Sequence, residues 1–289
     1  MADRPVVVPL TGYQREILAL LAETRAPDSY LAGGAALHFS PHSTRYSRDL
    51  DFFHDSSERV AEAFAADSKL LEAAGHDVRV ELSQPGFIRA TVARRAAVGV
   101  ERGDQESGDR EPAATRIDWA HESAWRFMPP VRDPFGGYLL HEIDLAINKT
   151  LALAGRDEPR DFVDILFAHE RILPLAGLAW AAVGKDPGFS PLSILELLKR
   201  RGRPRPEEVA RLDLAEQFDP AAAKETWRAA LEQADAFARS RPADEAGCLY
   251  YSESRRAFVL PEDDVPLEDQ AVSLHWGRPG GILPRPVES

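Results

Sequence analysis

The chain has 289 residues, 44% of them hydrophobic and 28% charged, the balance of an ordinary globular protein with room for one large domain or two modest ones. A formal net charge of −12 argues against non-specific binding to nucleic acid, and a single cysteine, Cys248, excludes an intrachain disulfide or a cysteine metal cage. The opening MADRPVVVPL lacks the apolar core of a secretory signal, and the longest apolar run, ILPLAGLAWAAVG (172–184), is too short to span a bilayer, so a cytoplasmic protein with no membrane partner is expected.

TGYQREILALLAET (11–24) repeats apolar residues at helical spacing behind a capping Thr11. Tyr30-Leu31-Ala32 reads as a short strand closed by Gly33-Gly34, and AALHF (35–39) as the first turns of a helix. DLDFF (49–53) reads as a strand, and SERVAEAFAADSKLLEAAG (57–75) as an amphipathic helix ending at Gly75. HDVRVEL and FIRATVA form a hairpin around Ser83-Gln84-Pro85-Gly86, the polar run at 101–114 is a loop, and TRIDWA (115–120) is a further strand. From residue 138 the spacing predicts helices over 138–155, 160–172, 193–202, 206–218 and 221–240. GCLYYSESRRAFVLP (247–261) predicts a hairpin, and the Pro/Gly-rich 276–289 a loosely ordered tail. The division is an α/β part over 1–137, a helical part over 138–240 and a C-terminal hairpin and tail over 241–289.

Residues two apart on a strand share a face, so Asp49 and Asp51 present adjacent carboxylates while Leu50 and Phe52 point into the core. Such a pair can hold one or two Mg²⁺ ions, and Asp118 is a third acid flanked by strand residues, a set suited to two-metal phosphoryl or nucleotidyl transfer. The alternative is an Asp-x-Asp pair serving as turn former or surface charge. Gly33 and Gly34, between a strand and a helix, let backbone N–H groups approach a phosphate, or simply make a tight turn. Arg45 and Ser47 can donate to phosphate oxygens or be loop residues. Farther on, Leu145, Lys149, Ala152 and Leu153 share one side of a helix whose other side carries Ile143, Ile147, Leu151 and Ala154. A lysine in an apolar stripe needs a triphosphate or a carboxylate, unless it snorkels at the stripe's edge. Asp161 and Asp164, three residues apart on a helix, can bind a nucleotide or a metal, or anchor Arg156 and Arg160.

Taken together, Gly-Gly, then Ala-Leu, then Arg45-x-Ser47-x-Asp49-Leu50-Asp51-Phe52 resembles the nucleotidyltransferase signature of the AbiEii/AbiGii toxin family, within the DNA-polymerase-β-like superfamily. EIDLAINKTLALAGRDEPRDFVDILF resembles that family's later motif, through Lys149, Ala152-Leu153, Arg156, Arg160, Asp161, Asp164 and Ile165. The resemblance spans roughly residues 10 to 170. It implies an α+β fold: a small mixed sheet flanked by helices, followed by a mainly helical part that completes the nucleotide site.

It further implies a Mg²⁺-dependent enzyme, the toxin of a toxin–antitoxin or phage-defence pair, moving a nucleoside monophosphate from an NTP onto an acceptor such as a tRNA. In that scheme Asp49, Asp51 and Asp118 hold two metals, Asp118 alternatively helping to deprotonate the acceptor. Gly33, Gly34, Arg45, Ser47 and Asp161 bind the nucleotide, Lys149 neutralises the triphosphate, and Asp164 joins the catalytic set. Ala35 departs from the family pattern, which has Thr or Ser after the glycines. LLKRRGRPRP (197–206) could steer an RNA backbone, or merely place cations at a helix C-terminus. The acidic total favours a cationic small-molecule acceptor, a protein side chain is another, and Ala35 leaves room for a non-catalytic nucleotide-binding member.

Overall fold

A computed structural model describes residues 10–39, 45–95, 114–214, 218–262 and 265–284. The loop expected at 101–114 therefore lies outside the described residues, except for Ala114, which opens a strand. The chain separates into two compact units, one of residues 1–124 and 130–140, the other of 125–129 and 141–289.

The first unit opens with α1 (Gly12–Leu21), where Thr11 and Gln14 cap each other: the Thr11 hydroxyl accepts from the Gln14 N–H at 3.1 Å, and the Gln14 side-chain oxygen from the Thr11 N–H at 2.9 Å. There follow β1 (Ser29–Ala32), α2 (Gly33–Leu37), β2 (Asp49–His54), α3 (Ser57–Ala73), β3 (His76–Gln84), β4 (Phe87–Arg94) and β5 (Ala114–His121). The second unit takes the next strand, β6 (Trp125–Arg126), and the first is completed by β7 (Val131–Asp133) and β8 (Gly137–Leu139). The sheet runs β3-β4-β5-β2-β1-β8-β7. It is mixed: β2 with β5 and β1 with β8 are parallel, the other pairs antiparallel.

Alternation decides what each face carries. Leu50, Phe52, Ile117 and Trp119 are fully buried on the side covered by α1 and α3, with Phe64 edge-on to Trp119 at 5.1 Å. On that side lies a charged pair without any exposed surface: Arg25 meets Asp67 at 2.5 Å, and Asp67 also accepts from Thr24 and from the Trp119 indole N–H. His54 is equally buried, and neither ring nitrogen has a hydrogen-bond partner. Burial, reinforced by the charges of Arg25 and Arg59, pushes its pKa down from 6.5 to about 3.

The second unit is built on α4 (Glu142–Gly155), α5 (Pro159–Arg171), α6 (Leu175–Lys185), α7 (Pro191–Arg201), α8 (Pro206–Val209) and α9 (Pro220–Ser240). Three points differ from the sequence expectation. The helix expected from residue 138 begins at Glu142, because Gly137–Leu139 pairs with β1 instead and His141 caps the helix, its Nδ1 accepting from the Ile143 N–H at 3.2 Å. The helix expected over 206–218 is reduced to α8, after which the chain turns at Ala210–Arg211. Helix α6 was not anticipated. Leu175 to Ala182 are all buried, so there is no polar stripe to set a helical period.

The expected hairpin is β9 (Leu249–Ser252) with β10 (Ala257–Val259), and β11 (Val272–His275) adds a third strand on the other side of β9. The expected loose tail is held as far as residue 284. β12 (Arg278–Pro279) pairs with β6, and the Ile282 N–H donates to the Phe127 carbonyl at 3.1 Å; residues 285–289 lie outside the described set. Buried Asp144 fixes that segment from within, accepting from the Phe127 and Met128 N–H groups at 3.0 and 2.9 Å and from Lys185 at 3.0 Å. Among the described residues no helix is long and apolar enough to cross a membrane.

Two outcomes follow for stability. Asp67→Asn leaves the Arg25 charge buried without its counter-ion, a loss of about 3–5 kcal/mol, read from denaturant unfolding. As pH falls below 6.5, the unfolded chain protonates His54 while the fold resists down to about 3, so stability present at neutral pH declines through that window. Unfolding titrations at pH 7.5 and 5.0 should show a smaller decline for His54→Gln than for wild type.

Candidate active site

The face of the sheet opposite α1 and α3 carries the charges. Parallel pairing sets Asp51 beside Asp118 and Asp49 beside Arg116, and antiparallel pairing sets Arg89 of β4 beside Asp118. Two rows thus cross the sheet: Arg89, Asp118, Asp51, Ala32 in one, and Thr91, Arg116, Asp49 in the other. Arg89 grips Asp118 with a two-armed fork, Nε to Oδ1 at 2.8 Å and Nη2 to Oδ2 at 2.6 Å, and the hydrogen bonds to that carboxylate raise the arginine's pKa. Arg116 holds Asp49 through one arm, Nη2 to Oδ2, while its Nε is buried with no hydrogen-bond partner.

Gly33 and Gly34 open α2 at the end of β1. Gly33 has φ +63°, and a Cβ there would lie 1.9 Å from Asp51 Oδ2. A Cβ on Gly34 would lie 2.5 Å from an Arg45 guanidinium nitrogen. The paired glycines therefore make room for a carboxylate and a guanidinium, a role the phosphate-turn reading did not anticipate. Buried Arg45 donates to the Tyr46 carbonyl at 3.0 Å, and the Ser47 hydroxyl to the Asp49 carbonyl at 2.9 Å. Gln14 ties this run-in to α1, its side-chain nitrogen donating to the Ser47 carbonyl at 3.1 Å.

The remaining candidates belong to the second unit and form their own cluster. Lys149 Nζ lies 2.7 Å from Asp164 Oδ2 and 3.2 Å from Asp161 Oδ1, with both carboxylates wholly buried. Arg156 closes on Asp161 with Nε at 2.6 Å from Oδ2 and Nη2 at 3.1 Å from Oδ1. Of the two partners expected for a lysine in an apolar stripe, carboxylates are present. Asp161 anchors Arg156, whereas Arg160 is 4.0 Å from Glu158.

Among the described residues no three His, Cys, Asp or Glu side chains are gathered as a metal-holding group. The donor chemistry nevertheless suits a hard cation, because Mg²⁺ is commonly held by one or two carboxylates, with waters and substrate phosphates supplying the rest. Asp49 and Asp51, neighbours on β2 that keep a small exposed surface, fit that requirement; Asp118 has both oxygens engaged by Arg89. Sequence reasoning missed Arg89 and Arg116. Arg116 was legible in principle, since it precedes Asp118 by two in a strand and so shares its face.

The first unit thus sets an Asp-x-Asp strand against a Gly-Gly turn, and a Lys…Asp-x-x-Asp helix pair follows in the chain. The chain belongs to the AbiEii nucleotidyl transferase toxin family of type IV toxin–antitoxin systems, whose family model matches residues 18–247. Membership makes it a nucleotidyltransferase and implies an antitoxin partner, and the non-catalytic reading prompted by Ala35 gives way.

Among solved structures it is similar to the nucleotidyltransferase toxin MenT4 of Mycobacterium tuberculosis, at 19% identity over 80% of this chain and 83% of that one, with a TM-score of 0.49. It is also similar to JHP933 of Helicobacter pylori, at 17% identity over 78% of this chain and 89% of that one, with a TM-score of 0.44. No curated protein sequence matches it.

Gly33→Ala should displace the Asp51 carboxylate and strain a left-handed backbone, lowering nucleotidyl transfer together with about 1–2 kcal/mol of stability. Gly75→Ala is the control: φ is +88° but nothing lies within 4 Å of the added carbon, so stability alone should drop. Transfer assays beside thermal melts read both.

Proposed function

We propose that the enzyme transfers a nucleoside monophosphate from an NTP to the 3′ end of a tRNA, with Mg²⁺ as cofactor, as the toxin of its pair. The observation that carries this reading is the face of β2, where Asp49 and Asp51 stand together beside a turn that admits no side chain at Gly33. In the reaction the acceptor hydroxyl attacks the α-phosphorus, its proton is lost, and pyrophosphate leaves. Bound at Asp49 and Asp51, Mg²⁺ would stabilise charge on the attacking and leaving oxygens.

The chain's own residues do the rest. Arg45, at the Gly33-Gly34 turn, supplies fixed positive charge for phosphate oxygens, and Ser47 braces the backbone of Asp49. Asp118 enters as a third metal ligand or as the base only where Arg89 releases one of its oxygens. To Lys149 we assign neutralisation of the triphosphate, and to Asp161 and Asp164 the support of that lysine.

The RNA reading draws less from LLKRRGRPRP than its composition suggests. Arg201 donates to the Ala154 carbonyl at 2.6 Å and Arg205 is forked with Glu208, so two of its five cations serve the fold. A cationic small-molecule acceptor is favoured by the net charge of −12.

Incubation with each labelled NTP, Mg²⁺ and total tRNA should place the label on RNA. Asp49→Asn should cut transfer on the order of 10²-fold or more. Label on an aminoglycoside or on protein would replace the acceptor, and full activity in Asp49→Asn would overturn the site.

A further inference from the structure

We propose that Arg116 is a counter-ion that keeps the free divalent cation off Asp49 and moves to the nucleotide's phosphates when the two arrive together. The inference rests on the assignment of Asp49 as a metal-holding residue.

Three observations carry it. Arg116 and Asp49 are register partners on adjacent parallel strands, and the guanidinium sits on Asp49 Oδ2, an oxygen a cation would need. The contact is one-armed. Arg116 Nε is buried without a partner, whereas Arg89, in the neighbouring row of this face, spends both Nε and Nη2 on Asp118. The Arg116 side chain is also 39% exposed against 15% for Asp49, so it can leave without unpacking the sheet.

A divalent ion approaching Asp49 competes with this arginine for Oδ2 and meets its positive charge. A polyphosphate supplies the missing acceptor: Arg116 can exchange one carboxylate oxygen for phosphate oxygens in a fork that also employs Nε. The exchange frees Asp49 as the cation's ligand and brings compensating negative charge. Metal and NTP therefore bind cooperatively, each raising the affinity of the other by the same factor. Asp118 shows no such asymmetry, because the Arg89 fork already engages both Nε and Nη2.

The test follows Mn²⁺ binding to the full-length protein by calorimetry, alone and with a non-hydrolysable NTP analogue. In wild type the metal should bind weakly alone and more tightly with the analogue. Arg116→Gln should bind Mn²⁺ alone roughly fivefold more tightly and show a reduced coupling factor, with weaker binding of the analogue. Arg116→Lys, which keeps the charge without the fork, should retain weak metal binding and guards against a folding defect in the glutamine variant. A tighter metal site is not something a damaged fold produces.

Unchanged or weaker Mn²⁺ affinity in Arg116→Gln overturns the inference. Mn²⁺ binding that survives Asp49→Asn undiminished would remove the metal assignment beneath it, an outcome distinct from the first.

Discussion

The alignment of β2 with β5 is the constraint on which the charged face depends. Parallel pairing of Asp51 with Asp118 also pairs Asp49 with Arg116, Leu50 with Ile117 and Phe52 with Trp119. One register therefore satisfies two demands at once: large apolar side chains meet under α3, and three acids and an arginine meet on the other side. A slip by one residue would reverse every side chain of β2, placing two carboxylates against Phe64 and Trp119 and two apolar residues on the open face. The cost of burying those carboxylates is what holds the register, so the core specifies the site without touching it.

Much of this could be read from the residues alone because strands announce themselves by alternation. The strand at Asp49–His54, the hairpin around Pro85-Gly86 and the strand holding Asp118 follow from apolar-polar periodicity and turn chemistry. Helix α6 escaped for the opposite reason, being apolar on all sides. Strand β8 escaped because three residues are too few for any period, and only its pairing with β1 on one side and β7 on the other defines it. Arg89 escaped because strand order is not written locally: no sequence spacing says that β4 lies beside β5, and an arginine becomes part of a site only once its neighbour does.

The two charged clusters differ in how their balance is kept. Lys149, Asp161, Asp164 and Arg156 combine two cations with two anions around wholly buried carboxylates, which satisfies the demand that buried charge be paired. Breaking such a set leaves a charge with nothing to offset it, so its members are held in place whatever further task they perform. The sheet face is more open. Asp49 and Asp51 keep contact with water, and their arginine neighbours are a third or more exposed. Exposure lowers the cost of rearrangement, and a site that must take up a charged ligand needs groups able to change partners.

The glycine pair shows how one sequence feature can serve a second purpose. A Gly-Gly between strand and helix invites a phosphate reading because bare backbone lets an anion come close. Here the nearest anion is the protein's own: the space a Cβ would fill at Gly33 is taken by Asp51, and the space at Gly34 by Arg45. The two uses are compatible. A carboxylate drawn tight against the turn leaves backbone that carries no side chain of its own, and the guanidinium beside it would offset part of the negative charge of an incoming polyphosphate. Gly33 is thus required twice, by its left-handed backbone and by the side chain lying over it, and of these only the second depends on what stands at position 51.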